Sequence, residues 1–235
     1  MSKIIVALDF NQFEEAKQLI DKTKDLIEYY KVGLESYISC GEKLLNYIQE
    51  QGKKIFLDLK FHDIPNTVSS ATVASLKYNV DIVNMHTQGG IEMMSNTVKM
   101  VTDYCNAKNI KKPKIIGVTL LTSLDLDYMK NHRINFDSTE EYVLHLARNA
   151  KISGLDGVVS SPKETVIIKE NLGKDFITIT PGIRPAYEQL GDQKRVMTPK
   201  EAKITGTDFM VIGRPITKAA DPQKAVLNIL EELND

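Results

Sequence analysis

Eight short, largely apolar runs alternate with stretches of helical spacing along this 235-residue chain. They are Ile4–Leu8, Tyr29–Gly33, Lys54 to Leu57 with the polar stretch after it, Asp81–Met85, Lys114–Leu120, Gly157–Ser160, Phe176–Thr180 and Asp208–Ile212. Near-continuous apolar runs of this length suit parallel strands covered on both faces. Helix-start signals stand between them. Asn11 with Glu14 and Ser138 with Glu141 have capping-box spacing, Ser161-Pro162 and Thr198-Pro199 each precede a glutamate, and Asp221 precedes Pro222. The second helix is expected to run to Gln51, with Gly52 as its stop. Eightfold strand–helix alternation without a low-complexity linker predicts one α/β domain over residues 1–235, a closed (β/α)8 or TIM barrel. An open doubly wound sheet satisfies the same alternation. Its dinucleotide-binding form carries a glycine fingerprint after an early strand, whereas Asp9 is followed here by Phe10-Asn11-Gln12.

Charge narrows the class of partner. Thirty basic and 31 acidic residues give a net charge of -1, and the basic residues are scattered, which argues against a nucleic-acid partner. Cys40 and Cys105 fall in helical stretches without metal-ligand or redox spacing and are read as free thiols in a reducing compartment. The opening apolar run ends on Asp9, too short for a signal peptide, and no run approaches the ~20 apolar residues of a membrane span. A cytoplasmic protein with no membrane partner is expected.

The chemistry collects where polar residues interrupt the apolar runs: Asp9, Lys31, Asp58, Lys60, His86, Thr122, Ser123, Arg184 and Arg214. In a barrel, the C-terminal strand ends form one ring, and active sites are built there. The densest stretch is Asp58-Leu59-Lys60-Phe61-His62-Asp63-Ile64-Pro65-Asn66-Thr67. Strand alternation turns Asp58 and Lys60 to one face, and Asp63 adds a second carboxylate. Gly213-Arg214 after the eighth run and Arg184 after the seventh occupy the usual phosphate-binding quarter of such barrels. Each piece also has a plainer reading: an Asp-x-Lys pair as a satisfied ion pair, His86 as a hydrogen-bonded structural histidine, Arg214 as a surface arginine, and Met93, Met94 and Met100 as core. Asp58, His62 and Asp63 have metal-ligand chemistry, but Lys60 brings a positive charge into the same space and disfavours a cation.

The same stretch closely resembles the signature of the bacterial-type orotidine 5'-phosphate decarboxylases. Further similarity lies in Ala7-Leu8-Asp9, Tyr30-Lys31-Val32-Gly33, Asn84-Met85-His86 with Gly89-Gly90, Val118 to Ser123, Thr180 to Arg184 and Val211 to Ile216. The resemblance implies cofactor-independent decarboxylation of orotidine 5'-monophosphate to UMP, the last step of pyrimidine nucleotide synthesis. Lys60 would protonate C6, with Lys31, Asp58 and Asp63 completing the charged array. Asp9 and Lys31 would hold the ribose, Thr122 and Ser123 the pyrimidine, and Gln193, Gly213, Arg214 and Arg184 the phosphate, with Pro181 a further substrate contact. It also implies a homodimer in which Asp63, Ile64 and Thr67 serve the neighbouring subunit's site. The connection from Pro185 to Met197, which contains Tyr187, Gly191 and Gln193, has the length of a lid over the phosphate. Two rival readings are a Mg2+-dependent sugar-phosphate enzyme sharing the Asp-x-Lys-x-x-Asp core, and a silent phosphate-binding barrel.

Overall fold

The computed structural model describes residues 2–185 and 197–234. Eight parallel strands close on themselves in chain order. They are β1 (Lys3–Ala7), β2 (Tyr29–Gly33), β3 (Lys54–Phe61), β4 (Ile82–His86), β5 (Lys114–Val118), β6 (Gly157–Val159), β7 (Ile177–Thr180) and β8 (Phe209–Ile212). β8 pairs with β1 through Lys3 with Phe209 to Val6 with Ile212, which completes the ring. The expected barrel is therefore the fold.

Side-chain alternation divides the apolar residues into two cores. Ile5, Tyr29, Phe56, Ile82, Ile116, Ile179 and Phe209 pack together inside the ring. The alternate positions, among them Ile4, Val6, Tyr30, Val32, Ile55, Leu57 and Val83, pack outward with the helices in a larger cluster. Fully burying one such Leu, Ile or Phe contributes about 1.5–3 kcal/mol, so the strands need no polar face. The inward series ends in charge: Ala7 pairs with Lys31, and Gly33 with Asp58.

Ten helices are formed among the described residues: α1 (Phe13–Thr23), α2 (Leu34–Glu50), α3 (Pro65–Ser75), α4 (Gly90–Lys108), α5 (Leu126–Asn131), α6 (Thr139–Ile152), α7 (Thr165–Leu172), α8 (Pro199–Ile204), α9 (Arg214–Thr217) and α10 (Pro222–Asn234). Eight were expected. The additional pair are the short α5, inside the long connection after β5, and α9, directly after β8. Asp125 supplies the start of α5 by accepting a hydrogen bond from the Tyr128 N–H at 3.3 Å.

The capping signals fared unevenly. Full capping boxes form at Ser161 with Glu164 and at Thr198 with Glu201. At Ser138 only half a box forms, because the Glu141 carboxylate accepts from the Asp137 N–H instead. The Asn11 box is not formed: the extended residue before α1 is Gln12, one position later, and the first turn relies on Glu14 and Glu15 against its exposed N–H groups. Nor is α2 continuous, since Gly41 breaks it with φ +53°, a conformation open to glycine. Met93 and Met94 are core, but Met100 is exposed.

Candidate active site

A cavity of about 650 Å3 opens at the C-terminal end of the barrel, within the roughly 300–1,000 Å3 range of small-molecule sites. Its floor is a line of alternating charges. The Lys31 ammonium donates to Asp9 Oδ1 at 3.0 Å and lies 3.4 Å from Asp58 Oδ2. The Lys60 ammonium donates to Asp58 Oδ1 at 2.7 Å. Both Lys31 and Asp58 are buried, whereas Asp9 stands half-exposed at the mouth.

Burial opposes both charges, yet their neighbours win. Desolvation pulls the Lys31 ammonium down, but the nearby Asp58 and Asp9 carboxylates outweigh it and raise its pKa above the ordinary lysine value. Desolvation likewise pushes the Asp58 carboxyl up, but Lys31, Lys60 and a hydrogen bond from Asn84 hold it below the ordinary carboxylate range. Lys31 and Asp58 are therefore held in their charged forms by one another and by their neighbours. Two lysines and two aspartates alternate along the floor, so each buried charge has an opposite charge beside it.

Local backbone structure brings Lys60 into this line. Leu57 pairs with Val83 and Phe61 with Met85, so four steps along β3 match only two along β4. The slack is a bulge, and Lys60 sits in it with φ +51°, a left-handed conformation unusual for a side-chain-bearing residue. Simple alternation put Asp58 and Lys60 on one face, and they do meet, but through this irregularity and not through a regular strand. Lys31 and Asp58 also lie within their strands and not at the ends.

The remaining expected residues divide into three groups. Thr122, Pro181, Arg184, Gly213 and Arg214 line the cavity with Asp9, Lys31, Asp58 and Lys60. Arg184 is buried; Arg214 opens α9 at the rim. Ser123, Asp63, Ile64 and Thr67 do not line it: all four are exposed, and Asp63 Oδ1 accepts from the Ile64 N–H at 2.6 Å. Gln193 lies outside the described residues. Among the described residues, the Arg184 N–H donates to the Met197 carbonyl at 3.0 Å and the Met197 N–H to the Gly182 carbonyl at 3.2 Å.

His86 faces His62, with ring centroids 5.3 Å apart. Burial pushes His86 below the ordinary histidine value, and the neighbouring His62 and Lys60 charges push the same way. Asp58, His62 and Asp63 do not converge as ligands. Among the described residues, no group of three or more His, Cys, Asp or Glu side chains is placed to hold a metal ion.

The sequence reading missed Asn84 as a site residue. It is fully buried in β4, its Nδ2 donates to Asp58 Oδ1 at 2.7 Å, and its Oδ1 accepts from the Lys60 N–H at 2.9 Å. The signal was present: an asparagine inside the apolar run Ile82-Val83-Asn84-Met85 must find buried partners. Ser160 was missed too; it lines the cavity with a buried hydroxyl that has no partner among the described residues.

Comparison with known proteins gives one answer over the whole chain. The model of the "Orotidine 5'-phosphate decarboxylase / HUMPS family" matches residues 2–229. Orotidine 5'-phosphate decarboxylase of Geotalea daltonii is 42% identical over 232 residues, covering 99% of this chain and 96% of that protein. The Lactococcus lactis subsp. cremoris protein of the same name is 43% identical over 231 residues, covering 98% and 97%. The crystal structure of orotidine 5'-phosphate decarboxylase from Lactobacillus acidophilus superposes with a TM-score of 0.86 at 38% identity, covering 100% of both chains. With a closed eight-stranded barrel, a cavity at its C-terminal mouth and matches of this extent, the chain belongs to the orotidine 5'-phosphate decarboxylase / HUMPS family.

Proposed function

We propose that this protein decarboxylates orotidine 5'-monophosphate to UMP and CO2 in pyrimidine nucleotide synthesis, with Lys60 as the proton donor to C6 and no metal or organic cofactor. The observation that carries the reading is the Asp9–Lys31–Asp58–Lys60 line on the cavity floor, with its 2.7 to 3.4 Å spacings. The family spans two branches, and the relatives at about 40% identity carry the decarboxylase name. The charge array favours the same branch. Two ammonium groups flank Asp58, a donor set that repels the Mg2+ the sugar-phosphate branch would need.

The chemistry needs such an array. Losing CO2 from C6 leaves an electron pair in an sp2 orbital orthogonal to the ring π system, so the ring cannot delocalise it. A fixed cation beside C6 can stabilise it. At about 4 Å and an effective dielectric of about 20, one ammonium contributes roughly 4 kcal/mol, on the order of a thousandfold in rate. Lys60 then delivers its proton to C6. Asp58 keeps Lys60 aimed, and Lys31 helps keep Asp58 charged, so the dipoles are set before the substrate arrives. In the same reading, Asp9 and Lys31 take the ribose hydroxyls, Thr122 and Ser123 the pyrimidine, Pro181 lies against the substrate, and Arg184, Gly213, Arg214 and Gln193 take the phosphate.

The whole chain acts as one barrel domain, and two copies form a homodimer in the cytoplasm. No helix among the described residues is long and apolar enough to cross a membrane. Asp63, Ile64 and Thr67 lie outside their own cavity at the start of α3, with Ile64 66% exposed; in the dimer they complete the neighbour's site. Loss of orotidine 5'-monophosphate absorbance in the presence of EDTA tests the reaction, and absence of turnover by folded protein refutes it. Mixing Lys60→Met with Asp63→Ala tests the shared sites: each is inactive alone, and the hybrid regains activity only if the sites span two chains.

A further inference from the structure

We propose that Asn84 is a positioning residue for the Lys60 ammonium, clamping both the backbone and the counter-ion of that lysine. This rests on the reading of Lys60 as the proton donor. Lys60 alone would not hold its place: it lies in a bulge, its backbone is left-handed at φ +51°, and a residue in such a conformation persists only where its surroundings fix it. Beyond the flanking β3–β4 pairs, one side chain supplies two of the bonds that do so. Asn84 Oδ1 accepts the Lys60 N–H at 2.9 Å, and Asn84 Nδ2 donates to Asp58 Oδ1 at 2.7 Å, the same oxygen that takes the Lys60 ammonium at 2.7 Å.

The result is a closed ring of hydrogen bonds: the Lys60 N–H donates to Asn84, Asn84 donates to Asp58, and the Lys60 ammonium donates to the same Asp58 oxygen. The amide has one orientation in it, because its oxygen faces an N–H and its NH2 group faces a carboxylate. Asn84 is fully buried, so a side chain of similar volume in its place leaves little room for water to substitute. Aspartate in its place supplies the acceptor but loses the donor, and sets two carboxylates against one another. Only when protonated does it reproduce both bonds. Leucine, of similar volume, supplies neither. Asn84 touches no reacting atom in this scheme; it acts by fixing where Lys60 stands.

Three proteins decide the matter: the wild type, Asn84→Leu and Asn84→Asp. The first readout is amide hydrogen exchange of Lys60 by NMR, which reads the bond to Asn84 Oδ1 and needs no turnover. The second is kcat, KM and UMP affinity, with kcat followed against pH. We expect Lys60 amide exchange at least tenfold faster in Asn84→Leu, kcat down by about 10- to 100-fold, and UMP affinity within about threefold of wild type. In Asn84→Asp, kcat is expected to climb as pH falls, because protonation restores the donor, a rescue that a purely structural role would not produce. Unchanged Lys60 exchange in Asn84→Leu, or kcat within threefold of wild type despite faster exchange, overturns the proposal. A wild-type protein that folds but does not turn over orotidine 5'-monophosphate is a separate result: it removes the Lys60 reading, and the positioning role with it.

Discussion

Replacing Lys60 with methionine removes one charge while keeping an unbranched chain of similar length. In the wild type the array carries two ammonium and two carboxylate groups, with Asp58 held by Lys60 at 2.7 Å, by Lys31 at 3.4 Å and by Asn84 at 2.7 Å. In Lys60→Met, Asp58 keeps Lys31 and Asn84 and stays ionised, so the floor becomes net negative beneath a substrate developing negative charge. The lost attraction at about 4 Å is roughly 4 kcal/mol at an effective dielectric of about 20, a factor on the order of 10^3. Loss of the proton donor adds a factor of roughly 10^2 to 10^4. The two effects share one group and do not simply multiply, so the expected fall in kcat is at least about 10^3. UMP carries no carboxylate at C6, so its affinity is expected to stay within a few-fold. The assay is substrate absorbance against time, beside UMP titration and thermal melting. A folded Lys60→Met protein retaining more than about a hundredth of wild-type kcat would refute the electrostatic argument.

Three further outcomes follow from the geometry. Asp58 is held below its ordinary pKa, so its stabilising contribution is complete above the unfolded carboxylate value near 3.9 and is lost as pH falls through the folded value; the stability gap between wild type and Asp58→Asn, measured by denaturant titration, should shrink from neutral to acid pH. If Arg214 binds phosphate, Arg214→Ala should weaken UMP by about 10- to 150-fold, the loss of one charged hydrogen bond of about 1.5–3 kcal/mol, and leave uridine unaffected; equal losses for both ligands in calorimetry would refute the assignment. A Cβ at Gly157 would lie 2.1 Å from the Ile177 carbonyl oxygen on the paired strand, so Gly157→Ala should cost at least about 1–3 kcal/mol through overpacking; an unchanged melting temperature would show that β6 and β7 separate more easily than their pairing implies.

The barrel was legible because its cause is local. Runs such as Ile4 to Leu8 and Phe176 to Thr180 can be buried on both faces only as parallel strands, and their number, order and intervening helices leave few ways to close the sheet. The clustering of Asp9, Lys31, Asp58, Lys60, Thr122, Arg184 and Arg214 at one cavity follows from that topology, which brings strand ends together however far apart they lie in sequence. Helix boundaries were less legible. Asn11 has the favoured side chain for a helix start, yet the chain turns helical one residue later without a side-chain cap, and the break at Gly41 inside α2 carries no spacing signal.

What the sequence determined by itself is the strand–helix order, the inward series that ends in charge, and the chemical types available at the mouth, because each depends on residue spacing alone. What only the tertiary structure decided is how those charges meet. The bulge in β3, the left-handed Lys60 and the Asn84 bridge arise from the register between β3 and β4, a relation between segments more than twenty residues apart. The exposure of Asp63, Ile64 and Thr67 was decided there as well, since it depends on the path of the chain from the bulge into α3. Spacing fixes which face a side chain takes, but distances of 2.7 to 3.4 Å between charged groups require strands packed against one another.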